Sequence, residues 1–238
     1  MFHSTLPASP TTGFPPTDHP STLADLSLQA LARAGDAGPS TLSPSLLRDL
    51  SRYAADPVSA QLLPVVAASM RHGKALSLLV GLDDRTLRLA LHPRRQLYGC
   101  DLDLCALPDQ SFSRIRLQRV ESDESLDAVP GAEIEPPLAT HAHIGSLRPL
   151  LWHLALRGAF GELLPELAGE LRCRVTLGVT LTGLPVDGAI RRLVQRMKSA
   201  PLSIDELMSA TPLSRRTVQR VWNALYLQSA LMVSRRMA

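Results

Sequence analysis

Residues 211–228, TPLSRRTVQRVWNALYLQ, hold the signal that decides the reading of this chain. They open on a polar turn, and Ser214 stands where a hydroxyl can accept one of the unpaired N–H groups of a helix's first turn. Val218, Val221, Trp222 and Leu225 follow at helical spacing and define one apolar face. Arg215 and Arg216 fall in the first turn. The stretch therefore reads as an amphipathic helix that buries one side and turns a basic end outward.

The pattern continues upstream. Ile190, Leu193, Val194 and Met197 recur at i, i+3, i+4 and i+7, which leaves Arg191, Arg192, Arg196 and Lys198 on the opposite side. Pro201 stops that helix. Ser203 caps a second one, IDELMSA, with Glu206 placed three residues on as in a capping box, and with Ile204, Leu207 and Met208 as its apolar side. Three short amphipathic helices with a four-residue turn, TPLS, between the last two match the helix-turn-helix pattern. Charge is concentrated in the same segment. From Asp187 onward nine basic residues against three acidic ones give +6, and the whole-chain charge of +3 leaves −3 for residues 1–186. Such an asymmetry points to a nucleic-acid or acidic-partner surface at the C-terminus, or to charges that merely solvate helices.

The run LSIDELMSATPLSRRTVQRVWNALYLQSALMVSRR, residues 202–236, resembles the winged helix-turn-helix domains of bacterial transcription regulators. The order is the same: second helix, turn, recognition helix, then a small-residue step into a wing strand at SALMVSRR. The resemblance covers about the last fifty residues. It implies that Ser214, Arg215, Arg216, Thr217, Gln219 and Arg220 face a DNA groove, arginine and glutamine reading base edges and hydroxyls meeting phosphates. It also implies a wing of two strands, yet after Ser234 only Arg235, Arg236, Met237 and Ala238 remain, so the second strand is expected to be missing. An Arg235-Arg236 tail could then reach a minor groove, as basic arms do. The alternative is a helical unit that packs against the rest of the chain or a protein partner, with Trp222 and Tyr226 as aromatic interface anchors.

Outside this segment the chain is mixed. Residues 1–20 are rich in Pro, Ser and Thr and read as a disordered tail. Helical patterns are expected at 22–34 and 45–55, separated by GDAGPSTLSPS, and at 57–72, where Asp56 caps, Pro57 opens, Gly73 ends and Pro64 kinks the helix. Alternation then takes over. ALSLLVGL (75–82) and TLRLALH (86–92) flank a turn as a hairpin does, and QLYGCDLDL (96–104) and SRIRLQRV (113–120) add strands. Residues 121–139 read as a loop, SLRPLLWHLALRGA and GELLPELAG as helices, and RCRVTLGVT (172–180) as a strand. The expected class is α+β, a small antiparallel sheet with packed helices followed by a C-terminal helix-turn-helix-like domain. The expected division is a tail (1–20), a mixed α/β sensing or docking module (21–180) and the helix-turn-helix-like domain (185–238).

Candidate chemistry is sparse. His141 and His143 lie two apart, and Cys100, Cys105 and Cys173 could in principle add thiolates, but neither C-x-x-C nor H-x-x-x-H spacing occurs. Asp83 and Asp84 suit a hairpin tip. Asp101 and Asp103 fall on one face of the expected strand. No G-x-S-x-G, P-loop, H-E-x-x-H or kinase signature is present. The expectation is a non-catalytic regulatory protein with no cofactor or metal. Its partner is duplex DNA or, as a signalling adaptor, a protein, with a homodimer as one form of such pairing. The longest apolar stretches are too short for a membrane span, and the start lacks a basic and apolar signal, so a cytoplasmic location is expected.

Overall fold

The computed structural model describes residues 45, 46, 48, 49, 62–122, 138 and 140–235. The expected tail, the helix at 22–34, and the Asp56 and Pro57 start signals lie outside these residues. Helix α1, Leu62–His72, is buried from Leu62 to Ser69, and Pro64 is its third described residue. Arg71 and His72 at its end both meet Asp49, at 2.5 and 2.8 Å.

The alternating stretch forms a hairpin of β1, Leu76–Leu82, and β2, Arg85–His92. Their register pairs Leu82 with Arg85, so the turn is Asp83-Asp84, and Asp83 takes a left-handed conformation with φ of 53°. β3 (Leu97–Cys100), β4 (Arg116–Ser122) and β5 (His143–Ser146) complete a five-stranded antiparallel sheet in the order β4-β1-β2-β3-β5. The protein is thus α+β. Leu76, Leu78 and Val80 join Leu87, Leu89 and Leu91 on the face that builds the main core, while Ala75, Ala90 and Leu138 form a small cluster apart from it. Gly145 is required by that packing: a Cβ there would come within 2.5 Å of the Tyr98 ring.

The strand expected over 96–104 ends at Cys100. Asp103 instead caps a 3-10 turn, Leu104–Ala106, by accepting from the Cys105 N–H at 3.0 Å, and Asp101 accepts from the Arg88 N–H at 3.3 Å. The two carboxylates therefore do not share a strand face. A short helix α2, Asp109–Phe112, follows. Ser146 then caps helix α3, Leu147–Arg157, which runs straight out of β5.

GELLPELAG is not a helix: only Pro165–Leu167 makes a 3-10 turn. The backbone groups that an α-helix would pair internally are taken elsewhere, Glu162 C=O and Leu164 N–H both bonding the side chain of Asn223. RCRVTLGVT shortens to β6, Leu171–Val175. The three C-terminal helices form as expected, α4 at Gly188–Ser199, α5 at Ile204–Ala210 and α6 at Arg215–Leu227, and β7, Leu231–Arg235, follows. Leu150 and Trp152 of α3 share one continuous apolar core with sheet residues and with Leu193, Val221 and Trp222 of the C-terminal helices. Burial of this shared surface, at roughly 25 cal/mol per Å² of apolar area, ties the C-terminal helices to the sheet.

Candidate functional site: the C-terminal helices and their docking on α3

Local capping sets the three helices. Asp187 accepts from the Ile190 N–H at 2.8 Å and starts α4. Ser203 and Glu206 make a reciprocal capping box on α5, at 3.2 and 2.7 Å. Glu206 is held below the usual carboxylate range, first by the Ser203 backbone N–H and then by Arg172. Ser214 accepts from the Thr217 N–H at 3.2 Å and starts α6. At the other end Ser229, with φ of 54°, turns the chain from α6 into β7.

The strand after α6 does have a partner, and it comes from upstream. β6 pairs antiparallel with β7 from Leu171↔Arg235 to Val175↔Leu231. On its other side Cys173 exchanges both backbone hydrogen bonds with Leu202, at 2.9 and 3.0 Å. β6 thus lies between Leu202 and β7, in the middle of a small sheet on which α4 and α6 pack.

Helix α6 is enclosed on two sides. Val218, Val221, Trp222 and Leu225 face the core, Trp222 being only 1 % exposed. A second face lies along α3. Arg220 donates through Nη1 to the Leu156 carbonyl and through Nη2 to the Gly158 carbonyl at 2.9 Å, satisfying the C-terminal end of α3. Asn223, fully buried, donates to the Glu162 carbonyl at 2.7 Å and accepts from the Leu164 N–H at 3.0 Å. Gln228 donates to the Arg148 carbonyl at 3.0 Å, so the start of α3 meets the end of α6 and the two helices run antiparallel.

The residues expected to face DNA are therefore divided. Ser214, Arg215 and Arg216 are exposed, Thr217 and Gln219 half-buried. Arg215 pairs with Asp205 on α5. The Arg216 guanidinium lies over Gly161, where an added Cβ would meet it at 2.7 Å. Arg220 points inward. Arg235 donates to the Glu166 carbonyl at 3.3 Å, and Arg236 lies outside the described residues. Of the two aromatic interface candidates, Trp222 is core and Tyr226 is half-buried and packed against it. Asn223 was not singled out by sequence reasoning. Its signal was a polar amide directly between Trp222 and Ala224 on a helix dense in apolar residues, the setting in which a buried polar group must find partners.

Between the end of α3, residues 184–190 and the start of α6 lies a cleft of about 590 Å³. Arg157, Arg216 and Arg220 line it together with Ser214 and Thr217, opposite an apolar wall that includes Leu184, Pro185 and Val186. Arg157 is itself held by Asp109 at 2.9 Å and by His153 Nδ1 at 2.5 Å. The Arg220 guanidinium lies below the ordinary arginine range, chiefly through burial and then through the Arg216 charge, and its Nε makes no hydrogen bond.

The other candidate residues sit on the five-stranded sheet. His143 Nε2 lies 3.4 Å from Asp103, and Tyr98 Oη lies 3.4 Å from the same carboxylate and 3.6 Å from Cys105 Sγ. His141 Nδ1 is 3.5 Å from Asp101, too far to count as a hydrogen bond, and that buried nitrogen has none. Asp83, at the hairpin tip, pairs with Arg114 at 2.9 Å. Burial pushes up the thiols of Cys100 and Cys105, and that of Cys173 to about 12, which suppresses the thiolate that nucleophilic chemistry needs. Among the described residues no three His, Cys, Asp or Glu side chains are grouped to hold a metal ion, and no helix is long and apolar enough to cross a membrane.

No family model, curated protein or solved structure matches this chain.

Proposed function

We propose that the protein is a non-catalytic, cytoplasmic regulatory adaptor whose winged-helix unit works by contacts with protein, its recognition helix being built into the fold. The observation that carries this reading is the use made of Arg220 and Asn223. In a groove-bound helix Arg220 would face base edges. Here both side chains are spent on backbone groups of residues 156–164. β7 supports a protein partner, since among the described residues it is paired on one side only and carries Met232, 56 % exposed. A strand edge with an exposed apolar side chain suits strand addition. Three free thiols fit a reducing compartment.

DNA binding is the second reading. It is favoured by the exposed first turn of α6, Ser214 to Arg216, and by the +6 charge that nine basic and three acidic residues give the chain from Asp187 onward. The two readings separate on salt. Duplex binding through arginines releases counterions, so affinity falls with a log-log slope of ~0.9 per phosphate contact. The test is a titration of the full chain with a mixed-sequence duplex at low and physiological salt. The adaptor reading expects no saturable binding at either. Binding that falls steeply with salt and is lost in an Arg215→Ala, Arg216→Ala variant overturns it in favour of DNA.

A further inference from the structure

We propose that the cleft between α3 and α6 is a binding site for a small organic phosphate, which would bridge the sheet module and the winged-helix unit. Its volume of about 590 Å³ is that of a small-molecule site. Arg216 and Arg220 stand one helical turn apart on α6, and among the described residues neither meets a carboxylate in an ion pair. Arg220 has only neutral carbonyls as partners, and its Nε is left without one. Two adjacent cations lining one cleft repel each other until an anion neutralises them, and guanidinium forks match phosphate oxygens in pairs. The hydroxyls of Ser214 and Thr217 share a hydrogen bond of 2.9 Å beside these arginines, which leaves one of the two O–H groups as a donor suited to the same oxygens.

The opposite wall sets the rest of the ligand. Leu184, Pro185 and Val186 offer apolar surface to a body such as a planar ring. Asp187 also lines the cleft; one of its oxygens accepts from Ile190 N–H, and a carboxylate there favours a hydroxyl or amine on the ligand over additional negative charge. A monophosphate on an uncharged organic body satisfies both walls, whereas free phosphate satisfies one. Occupancy would join Arg157 on α3 to Arg216 and Arg220 on α6 and so hold the helix docked.

Calorimetric titration of the full chain with adenosine monophosphate, adenosine and inorganic phosphate at an ionic strength of about 0.15 M tests this. Adenosine monophosphate should bind one-to-one and raise the melting temperature, with adenosine and inorganic phosphate each at least about tenfold weaker. R216Q should weaken the nucleotide about tenfold, the loss of a charge-assisted contact. V186D, which adds a carboxylate to the opposite wall, should do the same, whereas R196Q, on the exposed side of α4, should leave binding unchanged. Melting curves without ligand confirm that each variant folds. Absence of saturable nucleotide binding at millimolar concentration overturns the site, as does an equal effect of R196Q and R216Q. Adenosine binding as tightly as its monophosphate removes the phosphate from the proposal, and inorganic phosphate binding as tightly removes the organic body.

Discussion

Replacing Asn223 by alanine tests whether α6 is truly held on the 156–164 segment. The side chain is fully buried and makes two hydrogen bonds, donating to the Glu162 carbonyl and accepting from the Leu164 N–H. Alanine leaves the buried Leu164 N–H without a partner, at a cost of ~1–3 kcal/mol, and forfeits a bond worth ~0.5–1.5 kcal/mol at Glu162, which is exposed enough to recruit water. The total is about 3 kcal/mol. In a chain of 238 residues, ~2–4 °C per kcal/mol translates that into a fall of about 6–12 °C in Tm. Arg215→Ala is the matched control, because Arg215 is exposed and its ion pair with Asp205 is exposed too, so it should move Tm by less than ~2 °C. Asn223→Asp sharpens the test. A protonated aspartic acid can still donate to the Glu162 carbonyl and a carboxylate cannot, so this variant should recover stability on acidification. Calorimetric or fluorescence melting of the three variants is the assay. An N223A protein that melts within ~2 °C of the parent would refute the docking argument.

Three further outcomes follow from the same geometry. Trp222→Ala should cost ~3–5 kcal/mol by opening a core cavity, and Trp222→Phe less than ~2 kcal/mol, because it also removes an indole N–H that has no partner; denaturant unfolding distinguishes them. His153 stacks on Phe112 at 4.9 Å, and burial, then Arg157, lowers its pKa below the ordinary 6.5. Its contribution is therefore complete above that value and lost as pH falls, so melting at stepped pH should show an acid-side loss that H153N lacks. Cys173, with its thiol pushed from 9.0 to about 12, should resist alkylation at pH 8 until the protein unfolds. Its raised value also predicts stability falling as pH rises above about 9, which C173A should abolish, and a fast-reacting Cys173 in the folded protein would contradict the assigned burial.

What the sequence by itself determined is what acts within a few residues. Asp187, Ser203 and Ser214 are caps because a short side chain reaches an N–H two or three positions on, whatever lies elsewhere. The faces of α4 and α6 and the alternation of β1 and β2 were equally legible, since periodicity fixes which side is apolar. The tertiary structure decided everything that depends on a distant partner. GELLPELAG has helical periodicity, but its backbone groups are claimed by Asn223, some sixty residues away. β7 lacked a partner strand only when the chain was read forward from α6; β6, which precedes α4, pairs with it because a sheet edge accepts any complementary strand regardless of chain order. Arg220 carries the same charge as Arg215 and Arg216, one turn earlier on the same helix. Its inward course was invisible locally, because it is set by the carbonyls at the end of α3, which only the packing of α3 on α6 brings within reach.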